Sequence, residues 1–327
     1  MLGYLARRLG YYAALLLVAV CLSYALASTA LQPRAYFEAR QPPPNPVAVN
    51  AQLTALGIND QTPLVERFGH WASHAVRGDL GRTIDDTSVN DDFGRRVGVS
   101  LRLLIVGTVV GTVLGVLAGA WTAVRQYRLS DRLVTVGSFL LLSTPVFLLA
   151  VLLKIGAIRL NQALGTDFIK FTGEKTPGLQ GGWFAHLKDR AVHLLLPSLS
   201  IGLITIAVYS RYQRSTMLDV LGSDYLRTAR AKGLTRRKAL LKHGLRTALV
   251  PMSTFFSYNF LALFTGAIFT EAIFGWHGMG EWLVDSIDKN DVNSVVAVST
   301  FAAVVVLASG FLADLLHAAL DPRIRDS

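Results

Sequence analysis

The chain has 327 residues, 52% hydrophobic and 17% charged, with a formal net charge of +10. Its apolar residues are bunched into long runs, the pattern of a membrane protein, and the positive charge sits in turns abutting those runs. Retention of topology explains charge in such turns, so nucleic acid is excluded as a partner. A lone cysteine, Cys21, excludes an intrachain disulfide and a thiolate metal cluster.

A bilayer span needs about 20 mostly apolar residues. Six runs qualify, at residues 9–31, 101–124, 133–158, 192–212, 249–274 and 292–316, so the expected fold is all-α and polytopic, with six transmembrane helices. An even number of spans puts both ends on one side. Arg7 and Arg8 precede the first run, Arg125, Arg128 and Arg132 crowd the second turn, and Arg323 and Arg325 follow the last. The stretch after the fifth run carries Glu281, Asp285, Asp288 and Asp291 against Lys289 alone. This asymmetry places both termini in the cytoplasm, although the mixed charge of residues 159–191 dilutes it.

The first run, with Arg7, Arg8 and Ala25-Leu26-Ala27, imitates a secretory signal but is longer than a signal core, so it is expected to stay as a span. Residues 32–96 are too many for a mere connection. They open with the stiff Pro42-Pro43-Pro44-Asn45-Pro46. Thr62 is then expected to cap a helix started by Pro63, with Leu64, Phe68, Trp71, Ala72 and Ala75 on one face and Gly78 at its end. That face needs a cover, from the lipid interface, the flank of the helix bundle or an external delivery protein. His70 and His74, four apart on the same helix, are a possible metal pair or a solvated face. The other histidines have no ligand spacing, and no metal site is assigned.

Gly107, Gly111, Gly115 and Gly119 form a smooth strip along the second span that lets a neighbouring helix approach closely. Ser143, Thr144 and Pro145 fall mid-span, where proline frees a carbonyl and bends the helix, so Ser143 and Thr144 are candidates to line a path. Lys154 is expected to snorkel and Glu271 to be solvated near a span end. In the fifth span Ser257 and Asn259 complete the candidate path. A buried amide in hydrocarbon needs a partner, whether another helix, water or a substrate.

Between the fourth and fifth spans, residues 224–251 read DYLRTARAKGLTRRKALLKHGLRTALVP. Ser223 or Asp224 can cap a helix from Tyr225 to about Lys232, Gly233 supplies the left-handed residue that stops it, and Thr235 can cap a second helix running toward Leu249. Ala229 and Ala231, beside Leu226 and Leu234, would let the first helix lie against a partner surface. Basic composition alone suits anionic lipid equally well. The order of residues distinguishes them: Tyr225, Arg227, Ala229, Lys232, Gly233 and Leu234, then His243, Leu245, Arg246 and Pro251, resemble the EAA loop of ABC importer permeases in the form found in the peptide and nickel transporter family. The general pattern would have Glu at Arg227 and Ala at Thr228, and this chain departs from it as the peptide subfamily does. GDLG at residues 78–81 and the segments 270–287 and 313–325 also resemble the B-type permease of peptide importers, with His277 where that family has proline.

The resemblance implies a type I ABC importer permease fold. Residues 1–95 would form a first helix and extracytoplasmic loop, 96–316 a permease core with a coupling helix at 224–233, and 317–327 a cytoplasmic tail. It implies that Tyr225, Arg227, Ala229, Arg230, Lys232, Gly233 and Leu234 dock on an ATPase, and that the chain forms half of a path for peptides. The expected partners are a homologous second permease, two ATPase domains and an extracytoplasmic binding protein. Nickel and glutathione are alternative cargoes. No G-x-x-x-x-G-K-[ST] phosphate loop occurs, so the chain is expected not to be an enzyme and to bind no cofactor, with ATP and Mg held by the ATPases. An ion-gradient-driven carrier is the alternative of a different class. It would need an inverted repeat or charges at the membrane centre.

Overall fold

The computed structural model describes residues 2–320, with side chains described for residues 7–256 and 266–318. Apart from an isolated bridge between Arg82 and Ser88, all regular structure among the described residues is helical. The helices are α1 (Leu2–Ala30), α2 (Pro33–Glu38), α3 (Pro46–Ala55), α4 (Leu64–Ala75), α5 (Val89–Val124), α6 (Leu129–Ser143), α7 (Val146–Leu164), α8 (Trp183–Leu221), α9 (Asp224–Ala231), α10 (Arg236–Ala239), α11 (Leu245–Phe274), α12 (Met279–Asp288) and α13 (Val292–Leu320). By length and composition α1, α5, α7, α8 and α13 can each cross a bilayer. At 30 residues α11 is also long enough. The chain groups into two compact units, one of residues 101–276 and 309–320, the other of residues 2–100 and 277–308.

In the first unit, the glycine strip of α5 lies directly on α8. A Cβ added at Gly111 would sit 2.7 Å from Cβ of Thr205 and 3.0 Å from the Gly202 carbonyl. One added at Gly115 would sit 2.8 Å from Cβ of Tyr209, and at Gly119 it would collide with the Ser210 carbonyl. These distances are below van der Waals contact, so only glycine permits the pairing, and the partner of the strip is identified as α8.

The third predicted span is not one helix. Thr144 adopts extended backbone (φ −99°, ψ 120°) ahead of Pro145, whose ring disfavours a helical predecessor. The chain therefore breaks into α6 and α7. Two further expectations are corrected here. Lys154 does not snorkel to solvent: its Nζ donates to the Ile273 carbonyl at 2.5 Å, neutralising the carbonyl end of α11. Glu271 is not solvated but 1% exposed. Residues 165–182 are pinned by Asn161, whose amide donates to the Ile169 carbonyl at 2.8 Å and accepts from its N–H at 3.1 Å.

In the second unit, α4 starts at Leu64 with Pro63 in the cap position, and Thr62 does not cap it. The apolar face of α4 is covered by the chain itself. Tyr24 of α1 places its ring 5.3 Å from Phe68 and 5.2 Å from Trp71, within a core that includes Phe37, Leu53, Ile58, Ile84 and Val296. This burial corrects the idea that the face is free for an external delivery protein. Residues of the 32–96 segment are fastened to the start of α13: Asn293 donates to the carbonyls of Leu56 and Arg82 at 3.1 and 2.9 Å, and buried Asp291 accepts from the Ile84 N–H at 3.0 Å. His70 and His74 stack with ring centroids 4.7 Å apart, and His74 Nδ1 lies 3.2 Å from Asp79.

Gly111→Leu is expected to lower the thermal stability of the detergent-solubilised protein by more than about 1 kcal/mol, the usual minimum for overpacking. Gly137→Ala should not destabilise, because nothing lies within 4 Å of its added Cβ and alanine is the better helix former. Thermal unfolding followed by intrinsic fluorescence checks both.

Candidate functional site

The stretch from Leu221 to Phe274 is built from three short turns on a long helix. Ser223 is the N-cap residue of α9 by position, but its hydroxyl turns back to the Val220 carbonyl at 2.6 Å and makes no cap bond. The end of α9 is tighter. Gly233 has φ +89°, its N–H donates to the Arg230 carbonyl at 3.0 Å, and the Leu234 N–H donates to the Ala229 carbonyl at 3.3 Å. This pair of bonds is the Schellman closure, which needs a residue at positive φ and so favours glycine. Thr235 caps α10 as expected, accepting from the Lys238 N–H at 3.3 Å. The second helix does not stop before the fifth span: one π-turn at Leu240–Gly244 joins α10 to α11, and Pro251 is absorbed inside α11.

An apolar cluster anchors these turns. Leu226 of α9 is buried against Met217 and Val220 of α8, Ala239 of α10, Ala248 of α11 and Ala123 of α5, with Ala229, Leu234 and Leu240 packed around them. At Gly244 an added Cβ would stand 3.3 Å from Val220 and 3.6 Å from Leu226, so the π-turn must be narrow there. The seven predicted docking residues therefore divide. Ala229 and Leu234 face inward onto the cluster, whereas Tyr225, Arg227, Arg230, Lys232 and Gly233 are exposed. Arg227 is held only loosely, 3.5 Å from Asp224 and 3.4 Å from the Gly222 carbonyl, and such exposed pairs add little stability. Beside the cluster opens a cavity of about 500 Å³ whose wall includes Leu218, Leu221, Tyr127, Arg227, Arg230 and Arg236.

Of the candidate path residues, Ser143 and Thr144 donate back to the carbonyls of Phe139 and Leu140, both at 2.9 Å, so their hydroxyls are satisfied within α6. The side chains of Ser257 and Asn259 lie outside the described residues. The sequence reading missed Asp131. This carboxylate, in the turn ahead of the predicted third span, is gripped by the fork of Arg214 at 2.7 and 2.8 Å, and that guanidinium holds its carboxyl below the usual carboxylate range. The available signal was one acidic residue among Arg125, Arg128 and Arg132.

Residues 111–326 match the family described as binding-protein-dependent transport system inner membrane component, a match that takes in α8, α9, α10 and α11 whole. The chain belongs to this family. It is 54% identical to the oligopeptide transport system permease protein OppB of Mycobacterium tuberculosis over the full length of both chains. It is 35% identical to the oligopeptide transport system permease protein AppB of Bacillus subtilis over 82% of each chain. To the glutathione transport system permease protein GsiC of Escherichia coli it is 34% identical over 83% of this chain and 82% of the relative. The resemblance to the permeases of peptide importers is thus borne out. As a member of this inner membrane component family the chain is a multi-pass ABC permease, a kind of subunit that catalyses no reaction itself.

Leu226→Ala is expected to cost about 2–5 kcal/mol of local packing and to speed tryptic cleavage after Arg227 and Arg230 in membranes. Leu241→Ala, at a position 57% exposed, should leave cleavage unchanged. Timed digestion with mapping of the fragments checks the contrast.

Proposed function

We propose that the chain forms half of the translocation path of an ATP-driven importer of peptides and takes its energy input through α9. The observation that carries this reading is the two-sided build of the 224–234 segment, with an apolar root and a basic, solvent-facing tip. A lipid-contacting topology signal needs positive charge but has no use for a rigid, capped protrusion. The partners would be a second, homologous permease, two ATPase domains that bind ATP and Mg, and an extracytoplasmic binding protein. Peptide cargo is supported by the oligopeptide permeases among the relatives. Glutathione, named for a further relative, is itself a small peptide; nickel rests only on the resemblance to the wider family. The family assignment leaves the ion-gradient alternative without support.

In this reading both termini and α9 are cytoplasmic. Residues 1–95 are an accessory first helix and external loop, 96–316 the permease core and 317–327 a tail. Closure of the ATPases on nucleotide would displace Tyr225, Arg227, Arg230, Lys232 and Gly233. Ala229 and Leu234 would pass that displacement into the cluster beneath them, and α8 and α11, which flank residues 222–244, would swing as levers between inward and outward openings. Ser143, Thr144, Ser257 and Asn259 are the residues proposed for the path, the first two at the helix break.

Gly233→Val tests the reading. Nothing lies within 4 Å of an added Cβ at Gly233, so the cost is backbone strain alone, about 1–3 kcal/mol. The variant is expected to reach the membrane at normal abundance yet hydrolyse ATP without matching peptide uptake, measured in vesicles holding the complete transporter. Normal uptake by this variant would refute the docking assignment.

A further inference from the structure

We propose that Asp131 and Arg214 are a positioning pair that carries motion of α8 into α6 and so to the break at Ser143, Thr144 and Pro145. This inference rests on α9 being the input element.

Arg214 lies seven residues before the end of α8, which leads straight into α9, so a displacement of α9 reaches Arg214 across about 10 Å of continuous helix. There the guanidinium meets Asp131 through two parallel bonds of 2.7 and 2.8 Å. Asp131 is 3% exposed, and its remaining acceptor positions are used by the Tyr127 N–H at 2.9 Å and the Thr135 hydroxyl at 3.5 Å. Tyr127 has φ +66°, so the turn between α5 and α6 is wrapped around the same carboxylate. A forked pair of this kind resists both sliding and rotation, which a single hydrogen bond does not. Two more contacts lie further along the same helix pair: the Ser138 and Ser210 hydroxyls are 3.2 Å apart, and the Arg211 guanidinium sits 4.2 Å over the Phe139 ring. From Asp131, α6 runs without interruption to Ser143, where the helix gives way. Motion imposed on α8 therefore arrives at the break through α6.

The test uses the complete transporter in proteoliposomes and reads peptide taken up per ATP hydrolysed. Asp131→Asn with Arg214→Gln leaves no buried charge unpaired, so the double variant should assemble at native abundance. Its ATP hydrolysis is expected to stay near native while uptake per ATP falls at least about fivefold, the low end of usual coupling effects. Arg214→Lys, which keeps the charge and loses the fork, should fall between the native protein and the double variant. An unchanged ratio in the double variant, or a loss of uptake that only follows the amount of protein assembled, would overturn the proposal. Gly233→Val is measured alongside. If Gly233→Val transports normally the coupling-loop reading fails; if it uncouples and the double variant does not, the positioning pair alone fails.

Discussion

An eight-residue helix cannot sustain itself in water, because isolated helices shorter than about 12–15 residues are marginal. The existence of α9 therefore depends on the burial of Leu226 among Met217, Val220, Ala239 and Ala248. That single apolar anchor determines what the rest of the segment can do. It fixes which face of α9 is spent on the chain itself and which is left exposed. It also ties α9 to the ends of α8 and α11, since both helices contribute to the cluster.

The long helices pair closely for a different reason. Hydrophobic exclusion does little to pair helices in lipid, where the surroundings are as apolar as the side chains, and close van der Waals approach has to substitute. The glycine strip of α5 supplies it by letting α8 come within contact distance at four successive glycines. The break in the third predicted span is the opposite device. At Thr144 the helical ladder ends, and α7 is free to take its own direction, with Lys154 holding its middle to the carbonyl end of α11. Stiff helices joined through one interrupted element suit a transporter, in which a small displacement at one end has to become an opening elsewhere.

Local chemistry was legible in the sequence and tertiary pairing was not. The roles of Gly233 and Thr235 follow from backbone preferences that act within a few residues, and the helical period alone exposed the strip at Gly107, Gly111, Gly115 and Gly119. The identity of its partner, α8, is a long-range fact. The same limit explains Lys154 and Glu271, which were read from their distance along a span, whereas their surroundings are set by other helices. It explains the face of α4 too, since Tyr24, more than 40 residues earlier in the chain, is what covers Phe68 and Trp71. Asp131 was passed over because a carboxylate in a basic turn reads as surface charge until Arg214 is seen beside it. The turns of residues 223–235 were easier to read, because caps and stops such as Thr235 and Gly233 act within a few residues, whereas the burial of Leu226 that holds α9 in place comes from α8, α10 and α11.

Hydrogen exchange of backbone amides in residues 224–233 is the most direct measure of whether α9 grips a motor. It should be followed in the paired permeases with and without the ATPase subunits. Slower exchange is expected in this segment once the ATPases are added, with the amides around buried Leu226 already slow in their absence. Exchange that the ATPases leave unchanged at these residues, while slowing it elsewhere in the chain, would contradict that expectation.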